Sequence, residues 1–370
     1  MARRSNCCVT LSLSPTPFLG QSYHLRLPQF FCWLFLLHRS LLYLHNVMSR
    51  YHKTDLSNIS LISIAGRHSK VSEKEWAQPL PDGGTFDQFI ETLPDILVAR
   101  DLKAFVRHAA ESVRLGKPFI LMMGAHVVKV GLAPLVCDLI ERRILTGVAM
   151  NSAAAIHDTE SCLFGETSED VAATITDGTF GMSKETGEFI NGTLRQAWEG
   201  EDREIGFGEA LGEKLMDAGT GRPSIMATCV RLGVPITVHA AIGTDIVHQQ
   251  PTMSGEATGE LSFRDFRGLC HQLFQLGNGG VVMNVGSAVI LPEVFLKALT
   301  VARNLGADAF HFTTANFDMI QHYRPRVNVV QRPTQDGGRG FAFTGHHEIM
   351  VPLTFAMIRA ALAANGIARP

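Results

Sequence analysis

Residues 146–160 read TGVAMNSAAAIHDTE, and the fold turns on how this stretch is divided. An apolar run at 146–150 predicts a buried strand. Five small or short residues from Asn151 to Ala155 predict a loop, and a helix follows from Ile156, bringing His157, Asp158 and Glu160 to its start. In an open α/β sheet, ligands bind where strands end and helices begin, and small side chains there let a ligand approach the backbone. The same residues also suit a plain strand-to-helix turn, in which the alanines serve close packing and Asp158 caps the helix.

Working outward, the pattern repeats. Residues 102–115 predict an amphipathic helix stopped by Gly116. PFILMM at 118–123 is a short continuous apolar run, as expected of a strand covered on both faces, and Gly124-Ala125-His126 turns away from it. A helix at 132–143 leads to the strand at 146–150. Further strands are expected at 234–241, 279–285 and 308–313, with a helix at 293–305, and residues 340–343 lead through Gly345 into a helix at 348–364. Residues 166–221 read as mostly charged helix with glycine breaks, and within them 177–209 reads as an excursion from the sheet. Strand and helix in alternation predict a Rossmann-like, doubly wound α/β fold: a mostly parallel sheet with helices on both faces. No internal repeat or low-complexity tract interrupts it.

Composition narrows the partners. Hydrophobic residues make up 46%, charged residues 18%, and the net charge is −2, which excludes a field that would recruit nucleic acid or an anionic membrane. Seven cysteines without a CxxC pair argue against a disulfide framework or a zinc ribbon and for a reducing compartment, taken as the cytoplasm. Residues 1–47 differ in character: FFCWLFLL at 30–37 is far short of the ~20 apolar residues of a membrane span, and Arg39 intrudes where a signal peptide would continue. They read as a non-domain extension, 48–101 as an N-terminal arm with one short helix, and 102–370 as the α/β domain.

The expected strand ends carry His126, Asn151, His157, Asp158, His239, Asp245, His248, Ser287, Asn316, Asp318, His346 and His347. Neither GxGxxG nor GxxxxGK[ST] occurs, so a nucleotide would need a cradle made from Gly286-Ser287, Ala153, Ala154 and helix N-termini. Fifteen histidines invite a metal, but HEXXH is absent and His346-His347-Glu348 lacks the i, i+4 spacing; no metal is expected. Ser287, His239 and Asp245 form a triad on paper without a GxSxG elbow. The segment 321–339 carries Arg324, Arg326, Arg332 and Arg339, either as a bidentate grip on an anionic ligand or as surface ion pairs.

Taken in order, residues 124–131, 150–160, 234–245, 279–287, 313–318 and 340–353 resemble the deoxyhypusine synthase family over roughly residues 85–360. The resemblance implies a Rossmann-like NAD site at subunit interfaces of a homotetramer and transfer of the aminobutyl part of spermidine to a lysine of a translation factor. The family's TTAGGVEED edge resembles 151–159, which puts Ser152, Ala153 and Ala154 at the cofactor and Asp158 at a glutamate that moves a proton; His157 and His346, from their strand-end positions, are the further acid/base candidates. PALTDGS resembles 239–246, making Asp245 a cofactor contact, and NTAQEFD resembles 313–318, setting Thr314, Ala315 and Asp318 beside NAD with Gly286 and Ser287. The family's lysine segment falls within 330–342, and no lysine follows Lys297. That lysine carries the covalent imine. Lys129 could replace it only by reaching across a subunit boundary, and the family's acidic polyamine-binding residues give way to the arginine segment. The expectation is therefore an NAD-dependent enzyme acting on a small amine or amino-acid-like substrate other than in deoxyhypusine synthesis. An aminobutyl transferase using spermidine and an inactive NAD-binding regulatory subunit are the alternatives.

Overall fold

The computed structural model describes residues 51–364 and 366. The reading of residues 1–47 lies outside them. The chain divides into two compact units, 1–69 and 70–370. Within the first, residues 51–69 are exposed throughout, with one short 3-10 turn at Ile64–Gly66 started by the Ser63 side chain.

The second unit is built on six strands: β1 (Phe119–Met123), β2 (Gly147–Asn151), β3 (Ile236–His239), β4 (Val281–Val285), β5 (Thr313–Asp318) and β6 (Arg339–Thr344). They lie in the order β3-β2-β1-β4-β5-β6, every neighbouring pair parallel. This is the dinucleotide-fold order, whose direction reverses between β1 and β4. The doubly wound α/β reading of the sequence holds.

Alternation along β1 explains the layering. Phe119, Leu121 and Met123 enter one core with the Leu97–Arg114, Ala133–Glu141 and His347–Ala364 helices, while Ile120 and Met122 enter the other with Gly255–Gln272 and Ile290–Asn304. Each fully buried Leu, Ile, Met or Phe side chain contributes about 1.5–3 kcal/mol, so both faces hold the sheet. The His347–Ala364 helix is long and apolar enough to cross a membrane. Its Val351, Phe355, Ile358 and Leu362 are instead buried in the core. Cys137, Cys162, Cys229 and Cys270 are free and buried.

Three elements depart from expectation; the helix after β2 begins at Ser152, so the residues expected as a loop at 151–155 are its cap and first turn. The first long helix begins at Leu97, not at 102. More consequentially, the strand expected at 308–313 starts where it was to end: β5 runs Thr313–Asp318. Residues 308–312 form a loop whose Phe310 and His311 carbonyls accept from the Asn278 and Gly279 amides, with His311 at φ 54. Thr314 and Ala315 are thereby buried inside the strand and do not border a ligand from its end.

Candidate functional site at the strand ends

The C-terminal edge of the sheet has two unlike halves. Over β1, β2 and β3 lies a cavity of about 1050 Å³. Its floor comes from Lys129 after β1, from Ala153, Ile156, His157 and Glu160 on the Ser152–Phe164 helix after β2, and from Thr244, Asp245 and Ile246 after β3. Its outer wall is the segment from Phe164 to Thr186, which brings Glu166, Glu169 and Glu185. Five carboxylates thus face one lysine among the described lining residues, which suits a cationic ligand.

The local geometry follows from the sequence. Asn151 caps the helix after β2, its side chain accepting from the Ala154 amide at 2.9 Å. Ser152 at the first turn donates to Asp245, whose carboxylate is 3.8 Å from His248 Nε2. Burial raises the Asp245 pKa, opposed by Ser152 and then His248. Three residues apart on one helix face, His157 and Glu160 meet at the cavity. Gly165 ends the helix in the left-handed region (φ 82) and turns the chain back, so that Thr167 sits 2.6 Å from His157 Nδ1 and donates to Glu160. Thr186 donates to the other Glu160 oxygen at 3.0 Å. Burial lowers the His157 pKa, Lys129 lowers it further and Glu160 opposes both, which leaves a neutral imidazole.

Asp158 does not join this group. It is fully buried, and its carboxylate accepts from Ser224 Oγ at 2.8 Å and from the Ile225 and Met226 amides at 2.9 and 3.1 Å. It therefore caps the Ile225–Leu232 helix from across the core. Burial raises its pKa against those donors. A helix turns about 100° per residue, so Asp158 faces the core while His157 and Glu160 face the cavity.

The half over β4, β5 and β6 is packed. Asn284 Nδ2 donates to Ser287 O at 3.0 Å and to Asn316 Oδ1 at 2.7 Å; Asn316 reaches Gln321, and Gln321 reaches the Phe343 carbonyl. Ser287 Oγ accepts from the Leu291 amide, Asp318 accepts from Met319 N, and His347 Nε2 donates to Phe317 O. His126 and His347 rings lie 5.3 Å apart beside Gly286, at the reversal between β1 and β4. There the two turns touch: a Cβ on Gly124 would fall 2.2 Å from the Gly286 carbonyl oxygen. Asn284 Oδ1 and His347 Nδ1 are buried with no partner among the described residues.

The anticipated site residues consequently separate. His157, Ala153 and Asp245 line the cavity, Ser152 supports Asp245, and Ala154 is buried beneath. Gly286, Ser287 and Asp318 belong to the packed half. His346 follows β6, its side chain exposed and 3.7 Å from Glu348. The triad drawn from Ser287, His239 and Asp245 does not form: His239 bonds Thr237, Asp245 takes Ser152, and Ser287 caps a helix. The arginine segment does not line the cavity either; Arg324 lies 3.2 Å from Glu293, Arg332 bonds Asn328, and Arg339 lies over Phe341. Two expectations are thus corrected: the acidic character is present, and Lys129 lines the cavity within its own chain. Thr167 goes unremarked in the sequence, and Glu160 and Lys129 are noted there without a place in this group; the i, i+3 spacing of His157 and Glu160 is the available signal. Among the described residues no group of three or more His, Cys, Asp or Glu side chains could hold a metal ion.

No family model and no curated protein matches the chain. Solved structures do resemble it at low identity. A candidate LOR/SDH protein from Methanococcus maripaludis S2 shows 14% identity, covering 71% of this chain and 70% of that one at a TM-score of 0.45. AgrE in complex with ornithine and NAD+ shows 13% identity, covering 73% and 34% at 0.46. A candidate deoxyhypusine synthase from Entamoeba histolytica shows 9% identity, covering 77% and 96% at 0.46. The chain spans about a third of the length of AgrE and of the cyanobacterial arginine dihydrolase ArgZ.

Proposed function

We propose that the protein is an NAD-dependent enzyme that acts on a small aliphatic amine bound in the cavity over β1–β3. The observation that carries this is the lining itself: five carboxylates against Lys129, beside the small-residue first turn of the Ser152–Phe164 helix. Ligand pockets span roughly 300–1,000 Å³, and about 1050 Å³ has room for part of a dinucleotide as well as the amine. The unpartnered Asn284 Oδ1 and His347 Nδ1 are acceptors near the β1–β4 reversal, and ribose hydroxyls or a carboxamide N–H would suit them.

When bound, NAD supplies a hydride acceptor for the carbon that bears the amine. Ser152, Ala153 and Asp245, at the cavity, are the residues that would hold it. The wall carboxylates draw in the ammonium form of the substrate. Neutral His157 takes the proton that the ammonium gives up before its carbon can lose hydride, the role first given to Asp158. Glu160 stabilises the imidazolium that results. A second reading, group transfer through a lysine imine, is favoured by Lys129 lining this cavity, because a primary amine there could form the covalent link. In the same proposal the protein works in the cytoplasm as a homo-oligomer.

The test is a thermal-shift titration of purified protein with NAD, NADH and putrescine, followed by NADH formation from NAD and putrescine. NAD is expected to raise the melting temperature by mass action, and putrescine to add to it. No shift at millimolar NAD, with none from the amine, overturns the reading.

A further inference from the structure

Residues 165–183 lie over the cavity as a loop with little apolar anchorage. None of residues 165–180 is buried, and Val171, Ile175 and Met182 are 44%, 61% and 50% exposed. Its described ties to the rest of the unit are polar: the Gln249 and Gln250 amides donate to the Phe180, Gly181 and Ser183 carbonyls, and Thr167 meets the His157–Glu160 pair. A segment held by few buried contacts opens at low free energy. Gly165 begins it and Gly181 lies near its end, both at positive φ, and Ser168 next to Thr167 holds a left-handed φ of 71, a conformation disfavoured for a residue with a β-carbon.

The Thr167 hydroxyl fixes more than the loop. It gives its proton to Glu160 Oε2, so toward His157 it can only accept. The 2.6 Å contact then requires the proton on His157 Nδ1 and leaves Nε2 as the basic atom. Thr186 on the second Glu160 oxygen and Ser183, 2.9 Å from Thr186, hold the carboxylate from the other side.

We propose that residues 165–183 are a lid and that Thr167 is a positioning residue: closing the lid completes a Glu160–Thr167–His157 relay that sets the His157 tautomer. The use of His157 as a base rests on the function proposed above; the relay and the latch do not. Both are tested without substrate. Imidazole 15N NMR of the intact protein, with the His157 signal assigned through His157→Gln, reads the tautomer, and amide hydrogen exchange reads the lid. Wild type is expected to show the Nδ1–H form. Thr167→Val, which keeps the shape and removes the hydroxyl, is expected to lose that preference and to raise exchange across 165–183 about tenfold, as befits one hydrogen bond to a charged group. Thr167→Ser is expected to retain both. An unchanged tautomer in Thr167→Val, whatever the exchange does, overturns the relay, as does a Thr167→Ser that behaves like Thr167→Val. If amine-dependent NADH formation is absent while the tautomer responds as stated, the relay stands and the proposed function falls.

Discussion

The two halves of the sheet edge have similar inventories and opposite outcomes. Both bring Asn, Ser, Asp and His to the C-terminal ends of parallel strands. Over β4–β6 these groups bond one another, from Asn284 through Asn316 and Gln321 to the Phe343 carbonyl, and the edge is closed. Over β1–β3 the connection to the next strand is long, it arches outward, and the carboxylates it carries face a cavity. Polar residues at strand ends mark a site only where the chain leaves an open volume over them.

The comparison can be broken most severely at His157. His157→Gln should lower amine-dependent NADH formation by about 10²–10⁴-fold, the range for a lost acid or base, with little change in melting temperature; a collapse of stability instead would assign His157 to the packed class. Next is acid. His239 ends β3 in the hollow half, but its ring is buried, and burial holds its pKa at about 3. Because that lies below the unfolded value of 6.5, the unfolded chain binds the extra proton first. Stability from this group is full above pH 6.5 and declines as pH falls toward 3, by several kcal/mol at the limit. Denaturant titrations at stepped pH measure it, and His239→Gln should flatten the decline.

Asp158→Ala and Asn284→Ala should each cost roughly 2–4 kcal/mol by leaving buried partners unsatisfied, read as a lower denaturation midpoint. Glu160→Gln, two residues from Asp158, should cost far less. The smallest effect belongs to the rim: Glu185→Gln should weaken putrescine binding about two- to fivefold, in keeping with a solvent-screened charge, and added salt should erase the difference.

Much of the fold was legible because apolar runs such as FILMM and VVMNV are what a strand buried on both faces requires. β5 escaped because TTANFD is equally buried yet carries the polar Thr314, Asn316 and Asp318, of which Asn316 is bonded within the sheet's own network, so hydrophobicity gives no signal. The neighbouring DAFHF looked more strand-like and is a loop. At the site, His157 and Asp245 could be picked out from position on the chain. Asp158 was favoured over Glu160 by linear register, although helical spacing pairs His157 with Glu160. Thr167 and the wall glutamates lie in a segment whose return over the cavity depends on the left-handed turn at Gly165, a tertiary fact that local pattern does not carry.

The meeting of the β1 and β4 turns sets a rule for variation. No side chain can be added at Gly124 without displacing the Gly286 carbonyl, a backbone atom that any residue at 286 would carry, so in any descendant of this chain position 124 should stay glycine. That glycine is a marker that could be sought in genomes, and sequences that keep it are the ones in which to look for the same division between a hollow and a closed half.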